Sequence, residues 1–327
     1  MAKNISLCLG QGKNVDSFSA CGHHRPMNFI IMLLACWVVA VPVLRYVLFW
    51  ISNTRSGDME LVRQGLDGRA LPHVLCGLVS AMLSELGVLL MLPLGLIFPA
   101  RAGRGTPVIF VHGLYHNPTA WLWFRILLGR AGYRNFHAFG YNSFTRPFEN
   151  AVDDLAEVME NVLRDNPERT VVLVGHSLGG LVCRMAASRP EFSGRVGALV
   201  ALGSPHGGSV LAALGLGPMA RGLYPGKAVI RAVEQCRDMQ APKLAVYSLV
   251  DDYVLPLSGL RVGRHDWNEQ VCSPVSHVSM LFSQDVAWRV AAFLDRALRG
   301  GASDSGLALD GSEQGQGRIL LDGSEHE

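Results

Sequence analysis

Hydrophobic positions have two different textures along this chain. Near the N-terminus they run almost unbroken: Asn28 to Ile51 is a 24-residue apolar run with a single charge, Arg45. About 20 apolar residues suffice for a helix to cross the hydrocarbon of a bilayer, so the run predicts a transmembrane helix. A cleaved secretory signal would have a shorter apolar region followed by a small-x-small site, whereas Ser52 to Arg69 is polar and charged. The second run, Leu71 to Pro99, is also long enough to span but carries Glu85 near its middle. One such acid costs about 2.5 to 3.5 kcal/mol at the centre of a membrane helix, so it needs a partner. In an antiparallel hairpin Arg45 and Glu85 fall in the same half of the bilayer and can supply one another. The alternative is that the second run is an in-plane helix packed on the domain that follows.

From Thr106 the texture changes to short apolar bursts alternating with stretches of helical period. TPVIFVH, TVVLVG, ALVALGSP and Leu244 to Val250 read as buried strands, and Pro118 to Gly132, Ala151 to Arg164 and Gln284 to Leu298 as helices. Strand and helix in alternation predict an α/β fold, a mostly parallel sheet covered by helices. The expected organisation is therefore a flexible N-terminus (1–27), a hydrophobic helical hairpin acting as membrane anchor (28–99), an α/β domain (105–299) and a tail (300–327). The tail is Gly, Ser and acid with a near-repeat of Leu-Asp-Gly-Ser-Glu, a composition that cannot bury a core.

Charge and cysteine content narrow the partners. Charged residues make up 17% of the chain, below the quarter usual in soluble proteins, which agrees with membrane-embedded sequence. A net charge of +2 without Lys/Arg runs gives no footprint for nucleic acid. The tail holds Asp304, Asp310, Glu313, Asp322, Glu325 and Glu327 against Arg318, leaving the remainder basic enough to suit an anionic membrane surface. Lys3, Lys13, Arg25, Arg101 and Arg104 on one side of the hairpin, against Arg55, Arg63 and Arg69 in its loop, favour a catalytic domain on the cytoplasmic side, the expected setting being a bacterial inner membrane. The seven cysteines are scattered without a C-x-x-C pair, and there is no P-loop, H-E-x-x-H or completed dinucleotide fingerprint; no metal or cofactor is expected. Oligomeric state is not legible.

The chemistry is concentrated in TVVLVGHSLGGLVCRMAA. Gly175-His176-Ser177-Leu178-Gly179 is a G-x-S-x-G pentapeptide between a strand and a helix, and a sharp turn that exposes a serine there needs small neighbours on both sides. On these residues the segment from about Thr106 to Arg299 resembles the α/β-hydrolase fold, in particular the minimal-core bacterial-type lipases and esterases. The resemblance leaves the apolar hairpin outside.

It implies a Ser-Asp-His order for a catalytic triad. Ser177 is the implied nucleophile. Asp251-Asp252-Tyr253-Val254 follows a strand and resembles the turn that holds the acid; two adjacent acids compete, Asp251 on the D-x-x-V pattern and Asp252 on D-x-x-x-P, with Asp251 preferred and the other then solvated or capping a helix. Of the histidines after Asp251, His277 in Ser-His-Val-Ser-Met-Leu resembles the base-bearing loop before the last helix, whereas His265 lies in a polar loop and His326 in the tail. The His112-Gly113-Leu114-Tyr115 turn matches the one that shapes the oxyanion hole, implicating the amides of Leu114 and Leu178. Tyr115 and the Gly-Ser-Pro-His segment at Pro205 and His206 are implied substrate-site residues, with His112 and His206 more structural than basic. Val210 to Arg237, rich in Gly and Pro, is a candidate lid or a plain connection. The implied activity is carboxylic ester hydrolysis on a lipid or apolar acyl substrate at a membrane. An acyltransferase or thioesterase could use the same triad, and a non-catalytic membrane scaffold is the alternative of a different class.

Overall fold

The computed structural model describes residues 24–91, 103–237 and 239–303. The expectations for the first 23 residues, for 92–102 and for the acidic tail from Asp304 lie outside the described residues. The described residues begin with three helices, α1 (His24–Ser56), α2 (Met59–Gly65) and α3 (Ala70–Met91). The α/β domain follows as β1 (Val108–Val111), α4 (Leu122–Arg130), β2 (Phe136–Phe139), α5 (Phe148–Asp165), β3 (Val171–His176), α6 (Leu178–Ala187), β4 (Val196–Leu202), α7 (Gly217–Gly222), α8 (Ala228–Gln235), β5 (Lys243–Tyr247), β6 (Trp267–Val271) and α9 (Gln284–Ser303). The six strands form one sheet in the order β2-β1-β3-β4-β5-β6, every pair parallel.

The central strands are apolar throughout because both faces are covered. All of Val108 to Val111 and Val171 to His176 is buried, as a parallel sheet sandwiched between helices requires. One face packs on α5 and α6, where Ala151, Leu155, Met159 and Val162 recur at helical spacing toward Ile109 and Leu173. The other face packs on α4 and α9 through Phe124, Leu128, Val290 and Leu294. The helix expected from Pro118 starts as a 3₁₀ turn, Pro118–Trp121, with Asn117 Oδ1 accepting from the Thr119 amide at 2.9 Å, before becoming α4.

A third core cluster joins the N-terminal helices to the α/β domain. Tyr46, Phe49, Met59, Val62 and Val74 pack with Leu249, Val250, Leu255 and Leu257 from the loop after β5. Polar contacts fix the register of this docking: the Tyr46 hydroxyl donates to the Val250 carbonyl at 2.8 Å, Asn53 Oδ1 accepts from the Leu257 amide at 2.9 Å, and Asp58 Oδ2 accepts from the Ser258 amide at 2.8 Å. Ser80 of α3 accepts from the Ser276 amide at 2.8 Å.

Arg45 Nη1 lies 2.6 Å from Glu85 Oε1, the pairing that two opposed charges in a hairpin predict. That pair is not self-contained, however. The Arg45 Nε is also 2.8 Å from Asp252 Oδ2 of the α/β domain. Removing both hairpin charges together would therefore strand the Asp252 carboxylate in the α/β domain.

Both α1 and α3 contain stretches long and apolar enough to cross a membrane, Met32–Ser56 and Ala70–Val88. Only one side of each is covered by protein. Leu71, Leu75, Val79, Leu83, Leu86 and Leu90 form an exposed stripe along α3 at spacings of three and four, while Trp37, Leu44 and Ile51 are among the exposed residues of α1. Gly77 lies on the opposite, covered side: a Cβ there would collide with the Tyr46 hydroxyl and sit 3.0 Å from Val250 Cγ2. Gly77→Leu should therefore lower the thermal midpoint of the detergent-solubilised protein by ~2–8 °C, from the 1–3 kcal/mol cost of overpacking. Val79→Leu, on the exposed stripe, should leave it within a degree or two. Equal midpoints for the two variants would show that the helices do not dock as described.

Candidate active site

The sharpest backbone feature of the domain is Ser177, with φ 55° and ψ −126° between β3 and α6. A side chain in that region costs on the order of 1–3 kcal/mol and persists only when its surroundings enforce it. The surroundings do so by crowding. A Cβ on Gly179 would overlap the carbonyls of Val111 and His112, and one on Gly175 would overlap the backbone of Gly179 and Gly180. The Ser177 amide donates to the Leu202 carbonyl at 2.8 Å, tying the turn to the end of β4. The turn after β1 comes equally close, since a Cβ on Gly113 would lie 2.9 Å from Ser177 Cβ. The loop bearing Leu114 thus lies beside the serine. Leu178 opens α6, where the first amides have no intrahelical acceptor and the helix dipole is positive.

His277 approaches from the loop before α9. Its Nδ1 is 2.7 Å from Asp251 Oδ2, and both side chains are buried. The Asp251 carboxylate is held in turn, Oδ1 accepting from the amides of Tyr253 and Val254 at 2.9 Å each. The His277 peptide is clamped on both sides: its N–H donates to Asp252 Oδ1 at 3.0 Å, and its carbonyl accepts from His176 Nε2 at 3.1 Å. The structure therefore gives the two competing acids different partners. Asp251 faces the imidazole, while Asp252 holds the backbone beneath it. The expectation that the second acid is solvated or caps a helix is corrected, because Asp252 is 0% exposed and paired with Arg45.

Ser177 and His277 open into one cavity of about 460 Å³, whose wall includes Gly113, Leu114, Tyr115 and Pro205. Most of the remainder is apolar and comes from two places, with Arg45, His116, His176 and Ser209 as polar members of the wall. Trp37, Val41, Leu44 and Leu48 of α1 form one side, and Leu211, Leu214 and Leu223 of the segment after Ser209 form another. The Tyr115 hydroxyl accepts from the Leu216 amide at 2.5 Å, tying the loop after β1 to that segment. Sequence reasoning missed α1 as a wall of the site. The one available signal was Arg45, a charge in an apolar run with a second acid beside Asp251 left unexplained.

Two residues anticipated at the substrate site lie behind it. His112 is buried, its Nδ1 2.8 Å from the Gly113 carbonyl, its Nε2 accepting from the Tyr141 amide at 3.2 Å and its ring stacked on Tyr141. His206 is buried against Arg184 and the edge of Trp267. Neither is among the residues that form the cavity wall. Both order the turns that carry wall residues, because each ring is consumed by contacts on the protein side.

The chain has the α/β-hydrolase fold. Residues 106–218 match the family model described as alpha/beta hydrolase fold. Among solved structures, lipase B of Aspergillus fumigatus superposes with a TM-score of 0.50 at 20% identity, covering 59% of this chain and 54% of that one. The lipase BlEst2 of Bacillus licheniformis aligns with a TM-score of 0.48 at 18% identity, over 61% of this chain and 93% of that one. A curated relative, the GPI inositol-deacylase of Candida albicans (strain SC5314 / ATCC MYA-2876), is 30% identical over 125 residues; the match spans 31% of this chain and 31% of that protein.

The different partners of the two acids predict different losses. Asp251→Asn should lower kcat by about 10⁴-fold by disfavouring the Nδ1–H tautomer of His277. Asp252→Asn should cost far less, since an amide oxygen can still accept from the His277 N–H. The reverse order in purified variants would assign the acid to Asp252.

Stability should also depend on pH through histidines near the site. Burial pushes His112 and His116 down to about 4, so between pH 6.5 and 4 the unfolded chain takes up protons that the folded one does not. The thermal midpoint should fall as pH drops through that window, and His116→Gln should flatten the fall. A midpoint independent of pH from 6.5 to 4.5 would contradict the assignment.

Proposed function

We propose that this protein is a membrane-associated serine hydrolase that cleaves an ester of a lipid or other apolar acyl group. The single observation that carries the reading is the cavity: Ser177 and His277 stand at one wall of a largely apolar chamber, one side of which is the apolar helix α1 with an uncovered outer face. The similarity over 125 residues to a protein named a deacylase agrees with an acyl ester.

In this mechanism Ser177 Oγ attacks the ester carbonyl while His277 takes its proton and then returns it to the leaving alcohol. Asp251 fixes the ring and stabilises the imidazolium. The amides of Leu114 and Leu178 stabilise the oxyanion; loss of one such donor typically costs ~2.7–4 kcal/mol. Water, activated by His277, resolves the acyl-enzyme. The acyl chain lies against Trp37, Val41, Leu44 and Leu48, and the exposed stripes of α1 and α3 face lipid. The hairpin thus serves both as anchor and as the acyl wall.

Carbonate-washed membranes carrying the full chain should react with a fluorophosphonate probe, and Ser177→Ala should abolish labelling and lower ester turnover by several orders of magnitude. Labelling that survives in Ser177→Ala would remove the nucleophile. Release of the wild-type chain into the alkaline supernatant would remove the membrane assignment.

A further inference from the structure

Arg45 contributes more than charge balance within the apolar helices, because it is bound to the two residues that follow the triad acid. Its Nε is 2.8 Å from Asp252 Oδ2, its Nη1 also meets the Tyr253 hydroxyl, and its guanidinium carbon lies 4.2 Å from the Tyr253 ring centroid. Both contacted residues touch the acid–base pair. Asp252 accepts the His277 N–H, while the Tyr253 amide donates to Asp251 and its ring lies 5.0 Å from the His277 ring. Glu85 completes the cluster, accepting from Arg45 and, at 3.0 Å, from the Tyr253 hydroxyl.

Electrostatics makes a cation necessary there. Asp251 and Asp252 are consecutive and each is 0% exposed. Two like charges so placed raise one another's proton affinity, and desolvation adds to the effect. Burial holds the Asp252 carboxyl above the usual carboxylate range, with the Asp251 charge adding and Arg45 opposing. Without the guanidinium, the acid loop would hold either an unpaired buried charge or an extra proton. Either change alters the anchor of the His277 backbone and the carboxylate that orients its ring. A self-sufficient hairpin would need only one carboxylate for its one arginine, and Glu85 is that carboxylate.

We propose that Arg45 is a positioning residue of the active site, reaching from the apolar hairpin to hold Asp252 ionised and the acid loop in register with His277. The hairpin is then an obligatory part of the catalytic unit. This rests on the triad reading given under the proposed function.

The test uses the full chain in detergent micelles with a short, soluble ester, p-nitrophenyl butyrate, so that lipid access is not limiting. Arg45→Met should lower kcat by about 10- to 100-fold with KM within about twofold of the wild type. Adding Asp252→Asn to Arg45→Met should return kcat to within about fivefold of the wild type, because an amide at 252 still accepts from His277 and leaves no uncompensated charge in the acid loop; Glu85 is changed to Gln in both variants so that its lost cation does not enter the comparison. Arg45→Gln, which keeps polarity and loses charge, is read in the same way should Arg45→Met fail to accumulate. A kcat within twofold of the wild type in the charge-removing variant, or a double variant no faster than the single one, would reduce Arg45 to a packing role and overturn the inference. A wild-type chain that neither labels with fluorophosphonate nor hydrolyses the ester would instead overturn the triad reading, and the inference with it.

Discussion

The ion pair between Arg45 and Asp252 is the contact on which the two halves of this molecule depend. A lone arginine in an apolar helix is costly in lipid, and a second carboxylate beside a buried aspartate is costly in protein. Each cost is offset by the other group, and neither half supplies the answer alone. Glu85 neutralises the arginine formally, but the guanidinium also lies at ion-pair distance from Asp252, so that one cation faces two carboxylates. The docking interface grows outward from that pair. Tyr46, one position further along α1, reaches Val250, Asn53 and Asp58 cap the chain at Leu257 and Ser258, and Ser80 holds the loop that carries His277. The apolar helices thus grip both the loop that carries Asp251 and Asp252 and the loop that carries His277, and they touch little of the sheet itself.

What the sequence revealed and what it concealed divide along the range of the interactions involved. The central strands β1, β3, β4 and β5 are legible because burial on both faces makes them plain apolar runs. The edge strands β2 and β6 were not anticipated, since His137 and the Asn268-Glu269-Gln270 stretch break the pattern where one edge lies open. The turn at Ser177 is legible because its constraint is local: three glycines within six residues, Gly175, Gly179 and Gly180, mark a backbone that others must approach. The destination of Asp252 is not. Its partner, like that of Tyr253, lies in α1, the latter 208 positions away along the chain, and no spacing rule reports on such a pair. The same reasoning explains His112 and His206, whose motif positions are legible but whose rings turn inward to Tyr141 and to Arg184 and Trp267.

The shape of the cavity follows from this division of labour. In an isolated α/β domain the serine would open to solvent on the side now occupied by α1, and the segment from Val210 to Leu223 would be the only apolar cover. With α1 in place, the chamber is lined by Val41 and Leu48 on one side and Leu211 and Leu223 on the other, with Trp37, Leu44 and Leu214 exposed at its margin. The exposed residues are the large apolar ones that water disfavours and hydrocarbon accepts at little cost. Seated against lipid, such a margin lets an acyl chain pass from bilayer to chamber without crossing water, and the ester group alone need meet the polar wall of Ser177, His277 and the Gly113 turn. Under the proposed function, the charge that pairs with Asp252 then arrives on the same helix that lines the acyl side of the chamber, so that any displacement of α1 would loosen that wall and the acid loop together.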